Sequence, residues 1–177
     1  MFEYLKKLEK KYEDNALWQF LKFNLVGSSV SVLQLILANI LPLFFDSFNV
    51  KLPVFLRGIF STATLSNLND KYVIDGVVTL GYVLPFFLSN FLANICGFFM
   101  NMKTIFKGKA NAKNITIYFI TISILILFTT WVQGVVNAAL SNGELAVLSR
   151  TITATIAGLI QVAILFPFEK YILFREK

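Results

Sequence analysis

Residues 76–102 read GVVTLGYVLPFFLSNFLANICGFFMNM, 27 positions without one charged side chain. A bilayer core about 30 Å thick takes about 20 apolar residues of helix to cross. The run is long enough to do so, and Lys103 closes it. Three more such runs occur, at 23–45, 114–143 and 151–168. They predict an all-α integral membrane protein with four transmembrane helices, because a helix satisfies its own backbone in lipid.

Working outward, the chain reads as a single membrane domain over 1–177. Its spans fall near 18–44, 80–104, 115–140 and 146–168. Its 177 residues are 56% hydrophobic and only 15% charged, where a soluble domain carries about 25% charged. Residues 1–15 predict an amphipathic interfacial helix: Met1, Leu5, Leu8 and Tyr12 recur at helical spacing between Lys6, Lys7, Lys10 and Lys11. The apolar run that follows is too long for a signal peptide. Asn15 is placed to cap the first long helix, with Trp18 at the interface. Segment 45–79 is the longest connection. Pro53, Gly58 and residues 66–70 read as turns, while 52–60 is apolar enough to predict a short interfacial helix.

The cations give the orientation. Lys6, Lys7, Lys10, Lys11, Lys22, Lys103, Lys107, Lys109, Lys113, Lys170, Arg175 and Lys177 fall on one side of a four-span layout. Lys51, Arg57, Lys71 and Arg150 fall on the other. Loops rich in Lys and Arg stay in the cytoplasm. Both termini are therefore expected there, in a multi-pass protein of the cytoplasmic membrane, with 45–79 outside. The net charge of +6 reads as topology and contact with membrane lipids. No basic soluble module exists to suggest nucleic acid as a partner.

Enzyme chemistry is not indicated. There is no histidine and one cysteine, Cys96, inside the second span. That removes the commonest general base and metal ligand. No catalytic residue, metal or cofactor is expected, and Cys96 reads as a small buried hydrophobe. Nor does any Asp, Glu, Lys or Arg fall within the four runs, which argues against a proton-coupled pump of the small multidrug-transporter kind.

Uncharged polar and small residues line up instead. Gly27, Ser31, Gln34 and Ala38 share one helix face; Asn90, Asn94, Gly97 and Asn101 repeat the spacing. Thr130, Gln133 and Asn137 form a third stripe, and Ala154, Gly158 and Gln161 a fourth. Such faces either pack helices closely or line a hydrophilic groove. Lys103 and Lys170, with Asn101, would form a phosphate site at the basic ends, with Lys22 contributing. Arg57 and Arg150 are candidates on the outer side, since a guanidinium fork matches phosphate. A shift of 68 residues aligns Phe98 with Phe166, Phe106 with Phe174 and Lys107 with Arg175. It suggests two parallel helical-hairpin repeats.

The residues 17–27, LWQFLKFNLVG, resemble the opening motif of the GtrA-like family of small four-span membrane proteins. Residues 89–94 followed by 101–107, and the exit of span four through Phe166, Pro167 and Phe168, are similar to the family's two span ends. Val30-Ser31 stands where many members carry Asn-Thr, and the first connection is longer than usual. The resemblance implies translocation of a polyprenyl-phosphate-linked monosaccharide across the cytoplasmic membrane for cell-surface polysaccharide glycosylation. The substrate-binding residues would then come from Gln34, Asn90, Asn94, Asn101, Lys103, Gln133, Asn137, Lys170, Arg57 and Arg150. The alternative is a non-transporting accessory subunit that stabilises or positions a membrane glycosyltransferase. A homodimer is compatible with either, since four spans enclose little space.

Overall fold

The computed structural model describes residues 11–12, 15–45, 47–61, 70–109, 111–140 and 149–174, without the side chains of 137, 138 and 149–151. The expected interfacial helix over 1–15 lies mostly outside the described residues. Helix α1 is Ala16–Ile40, α2 is the single turn Pro42–Phe45, α3 is Leu80–Thr104, α4 is Ala112–Leu140 and α5 is Ser149–Phe168. Four helical segments are long and apolar enough to cross a membrane.

Local chemistry sets the helix starts. The Asn15 side chain accepts from the backbone N–H groups of Leu17 (2.9 Å) and Trp18 (3.1 Å), as its position predicts. Asn111 does the same for α4, accepting from Asn114 N at 2.7 Å. That cap starts α4 at Ala112, ahead of the expected 115. Pro167 stands just before 168, where span four was expected to end. It lies inside α5, and the helix continues past it as a π turn, Glu169–Leu173. Proline removes one donor but leaves the following residues free to stay helical.

The chain runs up and down. Helix α1 packs along α3, and α4 along α5. Gly97 of α3 sits where α1 comes close: a Cβ added there would lie 2.7 Å from Val30 Cγ2. Two side chains tie helix starts to helix ends. Lys22 Nζ donates to Thr104 O at 2.9 Å, and Asn114 Nδ2 donates to Leu173 O at 2.7 Å. The starts of α1 and α4 therefore meet the ends of α3 and α5 at one end of the bundle. An aromatic cluster fills that end. Phe98 stacks on Tyr118 (4.3 Å) and Phe174 (5.3 Å), Phe106 stacks on Phe174 (5.4 Å), and Phe166 meets Phe23 edge-on (5.4 Å).

At the far end, Val73–Ile74 pairs antiparallel with Val77–Val78 (β1 and β2), with Val73 opposite Val78. Asp75 and Gly76 form the turn with φ of +49° and +72°. Positive φ at both central residues is what a tight type I′ hairpin requires. Lys51 bridges to Thr79 and extends the cap. Lys51 also pairs with Asp75, whose carboxyl is held below its usual value by that hydrogen bond and charge. Leu52, Phe60, Val78 and Val83 are buried beneath. The segment 52–60 contributes one 3-10 turn, Val54–Leu56, rather than a helix. Of the expected turn at 66–70, only Asp70 is described.

Helix α1 buries only Phe23 and exposes Leu25 (70%) and Leu35 (65%). In water this would be an aggregation surface. Against lipid tails, which are as apolar as leucine, it is a matched one. Cys96 also faces outward and is exposed, contrary to the buried position expected. Outward in a membrane bundle is still apolar.

Candidate functional site

Contacts between α1 and α5 include Phe20 and Phe23 against Phe166 at the basic end. Beyond them the two helices part, leaving a cleft of about 310 Å³. Helix α1 supplies Asn24, Gly27, Ser28, Ser31 and Gln34; α5 supplies Thr155, Gly158 and Gln161, and the π turn that continues it supplies Glu169. Asn94 and Asn101 of α3, with Tyr118 of α4, reach it from behind. Helical rise is 1.5 Å per residue. Asn24 to Gln34 therefore spans about 15 Å, and Thr155 to Glu169 about 21 Å. The polar lining starts at the basic end and runs about half to two-thirds of the way through a 30 Å core.

The lining has a chemical bias. Asn24 Nδ2 donates to Phe20 O (2.8 Å), Ser28 Oγ to Asn24 O (3.0 Å) and Ser31 Oγ to Gly27 O (3.0 Å). Asn94 Nδ2 donates to Asn90 O (2.9 Å), and Gln161 Nε2 to Thr129 Oγ1 (3.2 Å). Each of these groups spends a donor on the protein itself. What they have left for a ligand is mostly acceptor oxygens.

Glu169 is the residue that the charge-free runs hide. The fourth run stops at Phe168, so the sequence places Glu169 outside the span. The helical span continues to Leu173 and takes it in, with the side chain fully buried. Asn101 Nδ2 donates to Glu169 Oε2 at 3.0 Å. Glu169 Oε1 and Asn101 Oδ1 are both buried, and neither has a hydrogen-bond partner among the described residues. Tyr118 gives its hydroxyl to Asn94 O at 3.0 Å. The chain widens into the π turn here, where Phe174 N donates to Glu169 O (2.8 Å), and at the end of α3 Asn101 O accepts from both Ile105 N (2.9 Å) and Phe106 N (3.1 Å). One signal pointed to the carboxylate. The 68-residue shift sets Glu169 opposite Asn101, the last member of the asparagine stripe.

The other candidates scatter. Gln34, Asn94 and Asn101 line the cleft, while Asn90 is buried next to it and gives Nδ2 to Phe86 O at 2.9 Å. Lys103 is exposed on the last turn of α3. Lys170 Nζ lies over the rings of Phe166 (5.8 Å) and Tyr171 (5.4 Å). Asn101 is thus joined to Glu169, and the cleft lining includes neither lysine. Gln133 is half-buried on α4 and off the cleft. Arg57 is exposed at the far end, with Nε donating to Leu52 O at 2.9 Å. The side chains of Asn137 and Arg150 lie outside the described residues. A second, basic hollow is bordered by Lys107, Lys109, Lys113 and Phe174. Among the described residues no three His, Cys, Asp or Glu come together as a metal site needs.

Helices of this length and polarity define a multi-pass α-helical membrane protein with a polar cleft on its flank. No family model, curated protein or solved structure matches the chain.

Proposed function

We propose that this is a GtrA-like protein that flips a polyprenyl-phosphate-linked monosaccharide between leaflets of the cytoplasmic membrane. The acceptor-rich cleft between α1 and α5 carries the reading. A sugar presents hydroxyl donors, and the cleft has acceptor oxygens to receive them. Its 310 Å³ lies at the small end of ligand sites, which run about 300–1,000 Å³. That suits one sugar headgroup and leaves the prenyl tail in lipid. The lysines at the same end, Lys22, Lys103, Lys107, Lys109, Lys113 and Lys170, supply positive potential for the phosphate. By the positive-inside rule that end faces the cytoplasm.

The reading includes a pair of hairpin repeats, α1–α3 and α4–α5. Contacts that swap under the 68-residue shift support it: Phe98 meets Phe174 (5.3 Å), and Phe166 meets Phe106 (6.2 Å). Lys22 clips the first hairpin at Thr104 O, and Asn114 clips the second at Leu173 O.

Vesicles reconstituted with labelled lipid-linked sugar provide the test. Headgroup exposure on the far leaflet should be faster than in protein-free vesicles. Equal rates would sink the flippase reading. Loss of a co-purifying glycosyltransferase's activity on removing this chain would favour the accessory-subunit alternative.

A further inference from the structure

The two unpartnered oxygens beside the cleft share one remedy. Asn101 Nδ2 already donates to Glu169 Oε2 at 3.0 Å, which brings the amide and the carboxyl together. The atoms left over are Asn101 Oδ1 and Glu169 Oε1, both buried and without a partner among the described residues. A single hydrogen on Oε1, donated to Oδ1, completes a closed acid–amide pair and satisfies both. Buried polar atoms in folded proteins are nearly always hydrogen-bonded. A buried carboxylate without its proton or a cation costs several kcal/mol as a rule.

We infer that Asn101 and Glu169 form a proton-binding site on the wall of the cleft, loaded from the basic end, and that proton and anionic headgroup bind together. The O–H bond forms at Glu169 Oε1 with a proton taken from water, and the site's charge goes from −1 to 0. Ionised, Glu169 sets a like charge against an incoming phosphate; neutral, it sets none. The charged and titratable groups around it have other engagements. Lys22 of α1 donates to Thr104 O, and the Tyr118 hydroxyl of α4 donates to Asn94 O. Lys103 of α3 is exposed, and Lys170, next in sequence, lies over two aromatic rings. The coupling to the headgroup rests on the proposed flippase function. The proton site does not.

Two measurements separate them. A lipid-soluble carbodiimide reacts with protonated carboxyl groups within the membrane. Applied to the intact wild-type protein in vesicles, it should give an adduct on Glu169, located by mass spectrometry and lost as pH rises. No adduct on Glu169 overturns the site, whatever the flipping assay reports. In that assay, wild-type flipping should fall about tenfold per pH unit once the site has lost its proton. Glu169→Gln, which keeps the shape and the neutral charge, should flip at a rate independent of pH. Flipping that is pH-independent in wild type, or equally pH-dependent in the variant, overturns the coupling. Should the variant misfold, the wild-type pH profile and the carbodiimide adduct still decide both claims. Absence of any flipping refutes the proposed function and leaves the labelling result to judge the proton site.

Discussion

Replacing Gly97 with alanine should destabilise the bundle, and the sign should reverse when Val30 is also trimmed. The added Cβ would sit 2.7 Å from Val30 Cγ2, about 1 Å inside the ordinary carbon–carbon separation of about 3.5–4.0 Å. Valine in a helix holds essentially one χ1 rotamer, so it does not swing aside. Overpacking of this kind costs about 1–3 kcal/mol. Against it stands the helix preference of alanine over glycine, about 1 kcal/mol. The net loss is therefore about 0–2 kcal/mol in the wild-type background. The neighbours nearest the new Cβ all belong to Val30: Cγ2, Cβ and Cγ1, the last two at 3.8 Å. In a Val30→Ala background only ordinary contact remains, and Gly97→Ala should stabilise by about 1 kcal/mol. Unfolding of the wild type, the two single variants and the double variant in detergent closes the cycle. A coupling energy near zero, with Gly97→Ala doing the same in both backgrounds, would refute the close approach of α1 and α3. The position of α1 as the cleft's outer wall depends on that approach.

Three further outcomes follow from the same geometry. Tyr118→Phe removes the buried hydroxyl that donates to Asn94 O; it should lower the melting temperature by the equivalent of about 0.5–1.5 kcal/mol, read by thermal unfolding in detergent. Asp75 should titrate below its ordinary value, and Lys51→Met should raise it again, as measured by NMR. Because the folded value is the lowered one, the pair's stabilisation is present above the unfolded value of about 3.9 and is lost as pH falls through the folded value. Gln34→Leu should slow headgroup exposure in vesicles by about tenfold, or about 1.4 kcal/mol, while Lys103→Ala, off the cleft, should change it far less.

The sequence made the spans legible because lipid imposes a length and a purity that few soluble folds meet. It also made the asparagine stripe legible: Asn90, Asn94, Gly97 and Asn101 are all buried on α3. The cap was harder to see. Val73-Ile74-Asp75-Gly76-Val77-Val78 is a strong hairpin signal, yet it adjoins a long apolar run whose reading as a span draws attention away from it. The cleft was only half visible. Periodicity put Gly27, Ser31 and Gln34 on one face, and Gly158 and Gln161 on another. That these faces meet each other across a gap is tertiary geometry, which spacing within one helix does not encode. Glu169 was missed for a sharper reason. Counting charge-free residues treats the first charge as the end of a span, whereas the helical span here runs on past Phe168 through the π turn and carries the carboxylate inside, next to an amide from α3.

On the proposed reading of two hairpin repeats, the Asn101–Glu169 contact joins two positions 68 residues apart, so one place in the motif would meet its own copy. In a homodimer of identical hairpins that place would hold the same residue twice. Two acids would have to share a proton, and two amides would have none to share. Fusing the hairpins into one chain removes that restriction, because each copy can then mutate alone. An acid facing an amide needs two halves that differ in sequence, and a single chain carrying both hairpins provides them. On that reading the linker between α3 and α4 does more than connect: it lets the two facing positions differ.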